Sequence, residues 1–235
     1  EFMATGHYVR IQKAEGGKHN LLRAIDHSKD QSYVLHVLTQ DKLAHALFPV
    51  GEYPKPEIRR LAADFGLPTA SRADSQDLCF LAGEDYRGFL QRNAAEMLKP
   101  GEIVTQDGKV IGEHSGLANY TIGQRKGLGV ASSVPLYVIE KNGQSNALVV
   151  GTQDELGVTE IIARDVNWMD GDTPNEPFRA EVKIRYTAKE VEALVSPLEE
   201  NQVSVKFDAP VRDATAGQAA VFYQGEVMLG GGIIR

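Results

Sequence analysis

Residues 179–186 read RAEVKIRY, and the alternation in that stretch decides the fold class. With a period of two, Ala180, Val182, Ile184 and Tyr186 fall on one side of an extended chain, and Arg179, Glu181, Lys183 and Arg185 on the other. Such a segment is a half-buried strand with one charged face. Its neighbours repeat the pattern at short spacing: LYVIE (136–140), ALVVG (147–151), EIIARDVNW (160–168), QVSVKF (202–207), AAVFY (219–223) and VMLGGGII (227–234). No convincing helical period interrupts them from about Leu136 onward, which predicts a small antiparallel barrel or sandwich. The basic face of RAEVKIRY suits nucleic acid and equally suits water.

Working outward, the pattern changes before residue 136. Asp107-Gly108 and Asn142-Gly143 mark hairpin turns. In KPEIRRLAADFGL (55–67), Pro56 suits a first helical turn and Ile58, Leu61, Ala62 and Phe65 recur at helical spacing; Gly66 supplies a left-handed stop. Shorter helices are expected over 40–47 and 85–93. Ser28 and Gln31 fit a capping box that opens residues 33–38, a run that reads as helix or strand. Tyr8 to Ile11 alternates as a strand. Glu1-Phe2-Met3 reads as a cloning scar, and a strand entered through Gly6 predicts a chain that begins inside a domain.

The 235 residues have room for one large domain or two to three smaller ones. No apolar run approaches the roughly 18 residues of a membrane span, and no signal peptide opens the chain. Cys79 is the single cysteine, which excludes an internal disulfide and makes a reducing cytoplasm the expected location. No metal-ligand spacing, Walker loop, dinucleotide fingerprint or serine elbow is present.

A net charge of -7 gives no global attraction to nucleic acid, so any such binding needs a local patch. One candidate is TIGQRKGLGV (121–130). It carries Arg125, Lys126 and three glycines in a stretch with no Asp or Glu between Glu113 and Glu140. Cations on a glycine-rich loop can approach a phosphate backbone, although a solvated hairpin tip looks the same. Lys29-Asp30-Gln31 lies at an expected helix entry, where capping alone accounts for it. Gly6 before His7 would let a ligand approach the backbone; a lone histidine is more often structural. Cys79 sits in ADSQDLCFLAGED (73–85), where Leu78, Phe80 and Leu81 favour burial and Asp74 and Asp77 disfavour a thiolate. By local chemistry alone it is an inert core residue.

Taken jointly, ATGHY (4–8), LLRAIDHSKDQSY (21–33), LFPVGEYPKPEIRRLA (47–62), DSQDLCF (74–80), YTIGQRKGLG (120–129), IRY (184–186) and GQAAVFYQGEVMLGGGII (217–234) resemble the tRNA-specific 2-thiouridylases. The resemblance implies an α+β multidomain chain. Its parts would be a remnant of an α/β ATP-pyrophosphatase-type domain over 1–82, a small central domain over 83–135 and an antiparallel β-barrel over 136–235. It implies a reaction that replaces the C2 oxygen of a wobble uridine with sulfur. ATP adenylates that oxygen, and a cysteine persulfide, charged by a donor protein, delivers the sulfur. A second cysteine releases it. By position Cys79 would bear the persulfide, Gly6 would lie against ATP, and His7, Lys29, Asp30, Gln31, Arg185, Tyr186 and Gln218 would contact tRNA.

The family's glycine-serine phosphate loop and its other catalytic cysteine are absent from these residues, so the chain is expected to be inactive alone. Two alternatives stay open: an RNA-binding module without chemistry, and another ATP-dependent tRNA-modifying enzyme on the same plan.

Overall fold

The computed structural model describes residues 1–71, 86–212 and 214–235. In chain order the first elements are β1 (Met3–Ala4), β2 (Val9–Lys13), β3 (His19–Arg23), α1 (Gln40–Ala44), β4 (Ala46–Leu47), α2 (Lys55–Asp64) and α3 (Tyr86–Asn93). Four strands follow: β5 (Gly101–Thr105), β6 (Val110–His114), β7 (Tyr137–Asn142) and β8 (Ala147–Gly151). The remainder is β9 (Gly157–Trp168), β10 (Phe178–Lys183), β11 (Val191–Leu198), β12 (Gln202–Arg212), β13 (Ala219–Gln224) and β14 (Val227–Ile234). Two compact units result, one from Glu1–Ala73 with Thr159–Arg235 and the other from Asp74–Val158.

In the first unit the order β13-β10-β11-β12-β9-β14, with β14 pairing back onto β13, closes a six-stranded barrel. The alternation of RAEVKIRY is realised: Ala180, Val182 and Ile184 are buried, with Ala180 opposite Ala193 and Val182 opposite Val191. They join Val195, Val205 and Phe222 in the barrel core. Tyr186 departs from the pattern. β10 ends at Lys183, the Ala188 N–H closes a turn on the Arg185 carbonyl (3.1 Å), and Tyr186 is left 43% exposed.

Closure depends on the glycine run of β14. A Cβ on Gly230 would lie 2.6 Å from the Asn167 carbonyl oxygen, and one on Gly232 would lie 2.7 Å from that of Arg164. The β9–β14 register shifts between Gly231 and Ile233, so the two backbones approach where no side chain fits.

The hairpin β2–β3 extends the barrel sheet at β14. It helps build a second core of Val9, Leu21, Tyr33, Leu43, Val221 and Tyr223. Strand β13 is therefore buried on both faces, Ala220 and Phe222 in one core and Val221 and Tyr223 in the other. That is why AAVFY is a continuous apolar run instead of an alternating one. β1 and β4 pair in parallel, Met3 opposite Ala46. Helix α2 ends as read, with Gly66 at φ +66°, but its apolar side is only partly covered and Phe65 is 74% exposed.

No capping box forms at Ser28. Asp26 caps a 3-10 turn over His27–Lys29, accepting the Ser28 N–H (3.2 Å), and a second 3-10 turn covers Ser32–Leu35. The run 33–38 is accordingly neither α-helix nor strand.

The second unit is a four-stranded sheet in the order β6-β5-β8-β7, in which β5 and β8 run parallel and Ile103 faces Leu148. Ile103, Tyr120, Leu128, Val138, Leu148 and Val150 form its core. LYVIE and ALVVG, read as strands of the barrel series, are the β7–β8 hairpin of this sheet. Among the described residues no helix is long and apolar enough to cross a membrane.

Candidate nucleic-acid interface

β3 delivers Arg23 and Ala24 to the capped turn at Asp26, and Asp30 follows with its carboxylate directed inward, 7% exposed. It accepts the Ala24 N–H (2.9 Å), the Ser32 N–H (3.3 Å) and the Ser32 hydroxyl (2.6 Å). With its proton given to Asp30, the Ser32 oxygen accepts from the Tyr223 hydroxyl (3.0 Å). The Arg23 guanidinium covers the Tyr223 ring at 3.8 Å, and its Nη1 donates to Glu190 (2.6 Å), which Lys183 also approaches at 3.2 Å. Burial pushes the Glu190 carboxyl up, but the Arg23 hydrogen bond and the Lys183 charge outweigh it and hold the group below its ordinary value. Burial pushes the Tyr223 phenol well up, so it stays a neutral donor. This network ties the 29–31 segment to the barrel wall.

Gln31 ties the same segment to the chain entry. Its Oε1 accepts the Tyr8 N–H (2.9 Å), and its own N–H donates to the Tyr8 carbonyl (2.9 Å). Beside Tyr8, His7 Nδ1 pairs with the Thr5 hydroxyl (2.8 Å), and the imidazole meets Phe48 edge-on. Among the described residues, and its chain neighbours aside, no atom lies within 4 Å of where a Gly6 Cβ would stand, which leaves the main chain there open. Tyr33 meets Tyr186 edge-on at 6.3 Å and donates its hydroxyl to the carbonyl of Ala219, next to Gln218. Burial and the Asp30 charge push the Tyr186 phenol up, partly offset by Lys29. Burial likewise raises the Tyr33 phenol, against the Arg185 charge. Gln218 holds a buried Oε1 with no hydrogen-bond partner among the described residues. Residues 6–7, 29–31, 185–186 and 218 thus converge within the first unit.

The basic face of β10 is different from its sequence reading. Arg179 forms a fork with Asp208, and Lys183 is bound to Glu190, so both charges are answered within the barrel. Arg125 and Lys126 of the second unit are exposed and make no ion pair among the described residues. Arg23, Ser32, Tyr223 and Gln124 escaped sequence reading. Arg23 offered one signal, a charge closing the apolar strand HNLLR. Cys79 lies outside the described residues. Among those described, no group of three His, Cys, Asp or Glu side chains could hold a metal ion.

Three family models match consecutive parts of the chain. They are the tRNA methyl transferase HUP domain over residues 1–83, the tRNA methyl transferase PRC-barrel domain over 87–152 and the aminomethyltransferase beta-barrel domain over 158–234. Among similar curated proteins, the tRNA-specific 2-thiouridylase MnmA 2 of Caldanaerobacter subterraneus subsp. tengcongensis is 47% identical over 235 residues, 100% of this chain and 65% of the relative. The tRNA-specific 2-thiouridylase MnmA of Microcystis aeruginosa is 48% identical over 234 residues, 99% of this chain and 66% of the relative. That of Halothermothrix orenii is 42% identical over the full chain and 66% of its own length. The chain therefore spans about two thirds of the relatives it matches.

Proposed function

The chain belongs to the tRNA-specific 2-thiouridylase family, and on that premise we propose that it carries the tRNA-holding surface and the sulfur-bearing cysteine of an enzyme that thiolates C2 of a wobble uridine. The observation that carries this reading is the convergence of Gly6-His7, Lys29-Asp30-Gln31, Arg185-Tyr186 and Gln218 in one neighbourhood. Lys29 and Arg185 supply charge for phosphates, the half-exposed Tyr186 ring offers a stacking face, and Gln218 lies beside them with its Oε1 buried. In this reading Asp30 acts from inside, fixing the backbone that presents Lys29 and Gln31.

ATP supplies activation of the C2 oxygen; on this chain the open main chain at Gly6 would lie against it. The Cys79 thiol takes a sulfur atom from a donor persulfide, leaving the donor as a thiol. The terminal sulfur then bonds to C2 as AMP departs with the former oxygen. Releasing that sulfur from Cys79 takes a second thiol, whose attack leaves a disulfide on the protein. The 235 residues hold one cysteine, so they are proposed not to complete the reaction by themselves. A thiol chemistry fed by ATP fits the cytoplasm.

Incubating the chain with a persulfide donor, then measuring intact and peptide masses, tests the sulfur-carrying role. One added sulfur atom at Cys79, lost on reduction and absent from Cys79→Ser, is expected. An unmodified Cys79 in a chain that still binds tRNA would overturn that role and leave an RNA-binding module. Formation of 2-thiouridine by this chain with ATP and donor would contradict its proposed inactivity.

A further inference from the structure

We propose that residues 121–132 form a phosphodiester cradle, in which main-chain N–H groups join Arg125 and Lys126 around one phosphate of an RNA backbone. Gln124 is its positioning residue. The inference rests on the tRNA-binding reading and adds a ligand set to it.

The loop has no regular secondary structure, yet it is held in shape. The Gly123 N–H donates to the Val138 carbonyl (2.8 Å), and the Val138 N–H donates to that of Gln124 (3.0 Å), so its first end is sewn to β7. The Gln124 side chain spans the tip. Its Oε1 accepts the Thr121 N–H (3.0 Å) and its Nε2 donates to the Lys126 carbonyl (2.9 Å). Leu128 anchors the far side in the core, 6% exposed. Gly123, Gly127 and Gly129 stand at φ +83°, +77° and +71°, left-handed conformations that glycine adopts without strain and from which anion-binding turns are built.

Three observations identify the ligand. The N–H groups of residues 125–133 make no hydrogen bond among the described residues, a run of donors without acceptors. Arg125, Gly127, Gly129 and Ser132 line one part of an open hollow of about 470 Å³, whose other walls are apolar side chains such as Val130 and Leu136. No acidic residue occurs between Glu113 and Glu140 to occupy the donors or repel an anion. Donors, two adjacent cations and an open-sided hollow suit a phosphate that belongs to a passing chain. Such contacts position an RNA without reading its sequence.

The test measures tRNA affinity of the 235-residue chain against salt concentration, for wild type and three variants. Each thermal unfolding transition serves as the check on folding. R125A/K126A should lower the salt slope by about 0.7–0.9 per lost phosphate contact. Gln124→Ala and Gly129→Ala keep both charges. The first releases the tip, and the second strains a left-handed φ where no atom lies within 4 Å of the new Cβ. Both should weaken binding several-fold, and tRNA should shift the amide resonances of residues 125–133. If R125A/K126A loses slope while both shape variants bind as wild type and those amides stay still, the cradle is overturned and the tRNA reading stands. An unchanged slope in R125A/K126A overturns the cradle and removes this loop from the tRNA surface. Amide shifts with inorganic phosphate alone, and none with tRNA, would identify a free-anion pocket and overturn the RNA assignment.

Discussion

At the residue scale, Asp30 holds two parts of the chain together by directing both carboxylate oxygens inward, onto Ala24 and Ser32. The Ser32–Tyr223 link then passes the constraint to Arg23 and Glu190. Tyr223→Phe removes one buried hydroxyl and should lower stability by about 0.5–1.5 kcal/mol. Arg23→Met should lower it by roughly 2 kcal/mol, below the 3–5 of a fully buried pair, because Glu190 keeps Lys183 and some water. Chemical denaturation checks both; equal midpoints for wild type and variants would contradict the network. His36 contributes a pH dependence of its own. Burial holds its imidazole below the ordinary 6.5, against the pull of the Tyr33 carbonyl that its Nδ1–H reaches at 2.9 Å. The folded state therefore prefers the neutral ring. The stability this contributes is complete above pH 6.5 and is lost as pH falls through the folded value. His36→Gln should flatten that part of the denaturation profile, and a profile as steep as wild type would contradict it. The meeting of Asp30, Glu190 and Tyr223 was not legible in the sequence, because only the folded chain brings these distant positions together.

At the element scale, the alternation in RAEVKIRY was enough to place Ala180, Val182 and Ile184 in the core, because a period of two maps directly onto sheet faces. It could not say that Arg179 and Lys183 would meet Asp208 and Glu190, nor that Tyr186 would leave the strand. Nor does alternation choose a partner. LYVIE and ALVVG pair beside β5, not with the barrel strands whose pattern they share. The 33–38 run was ambiguous for a related reason, since its 3-10 turn packs Tyr33 under tertiary contacts that no local period encodes. The glycines of β14 are a sharper test of closure. Gly232→Ala places a methyl group against the Arg164 carbonyl oxygen and Val166, and should destabilise the first unit by about 1–3 kcal/mol. Substituting Gly143, where no atom lies within 4 Å, provides the control, and similar melting of the two variants would contradict the close approach.

At the scale of the whole molecule, two units with separate cores should unfold as separate events. Calorimetry should resolve two transitions, and Leu148→Ala, a cavity of about 2–5 kcal/mol in the second core, should move only one of them. A single transition moved as a whole would contradict that independence. The candidate surface was more legible at this scale than at any other, because ATGHY, SKDQ, IRY and GQ are far apart in sequence yet share one unit. Under the proposed function these residues hold tRNA. The most direct test is equilibrium binding of a tRNA with a wobble uridine, comparing wild type with K29A/R185A at fixed salt and with unfolding monitored in parallel. Salt-sensitive binding by wild type and at least a tenfold loss in the variant, about 1.4 kcal/mol, are expected. Binding of equal strength by both proteins, or no binding by either, would contradict it.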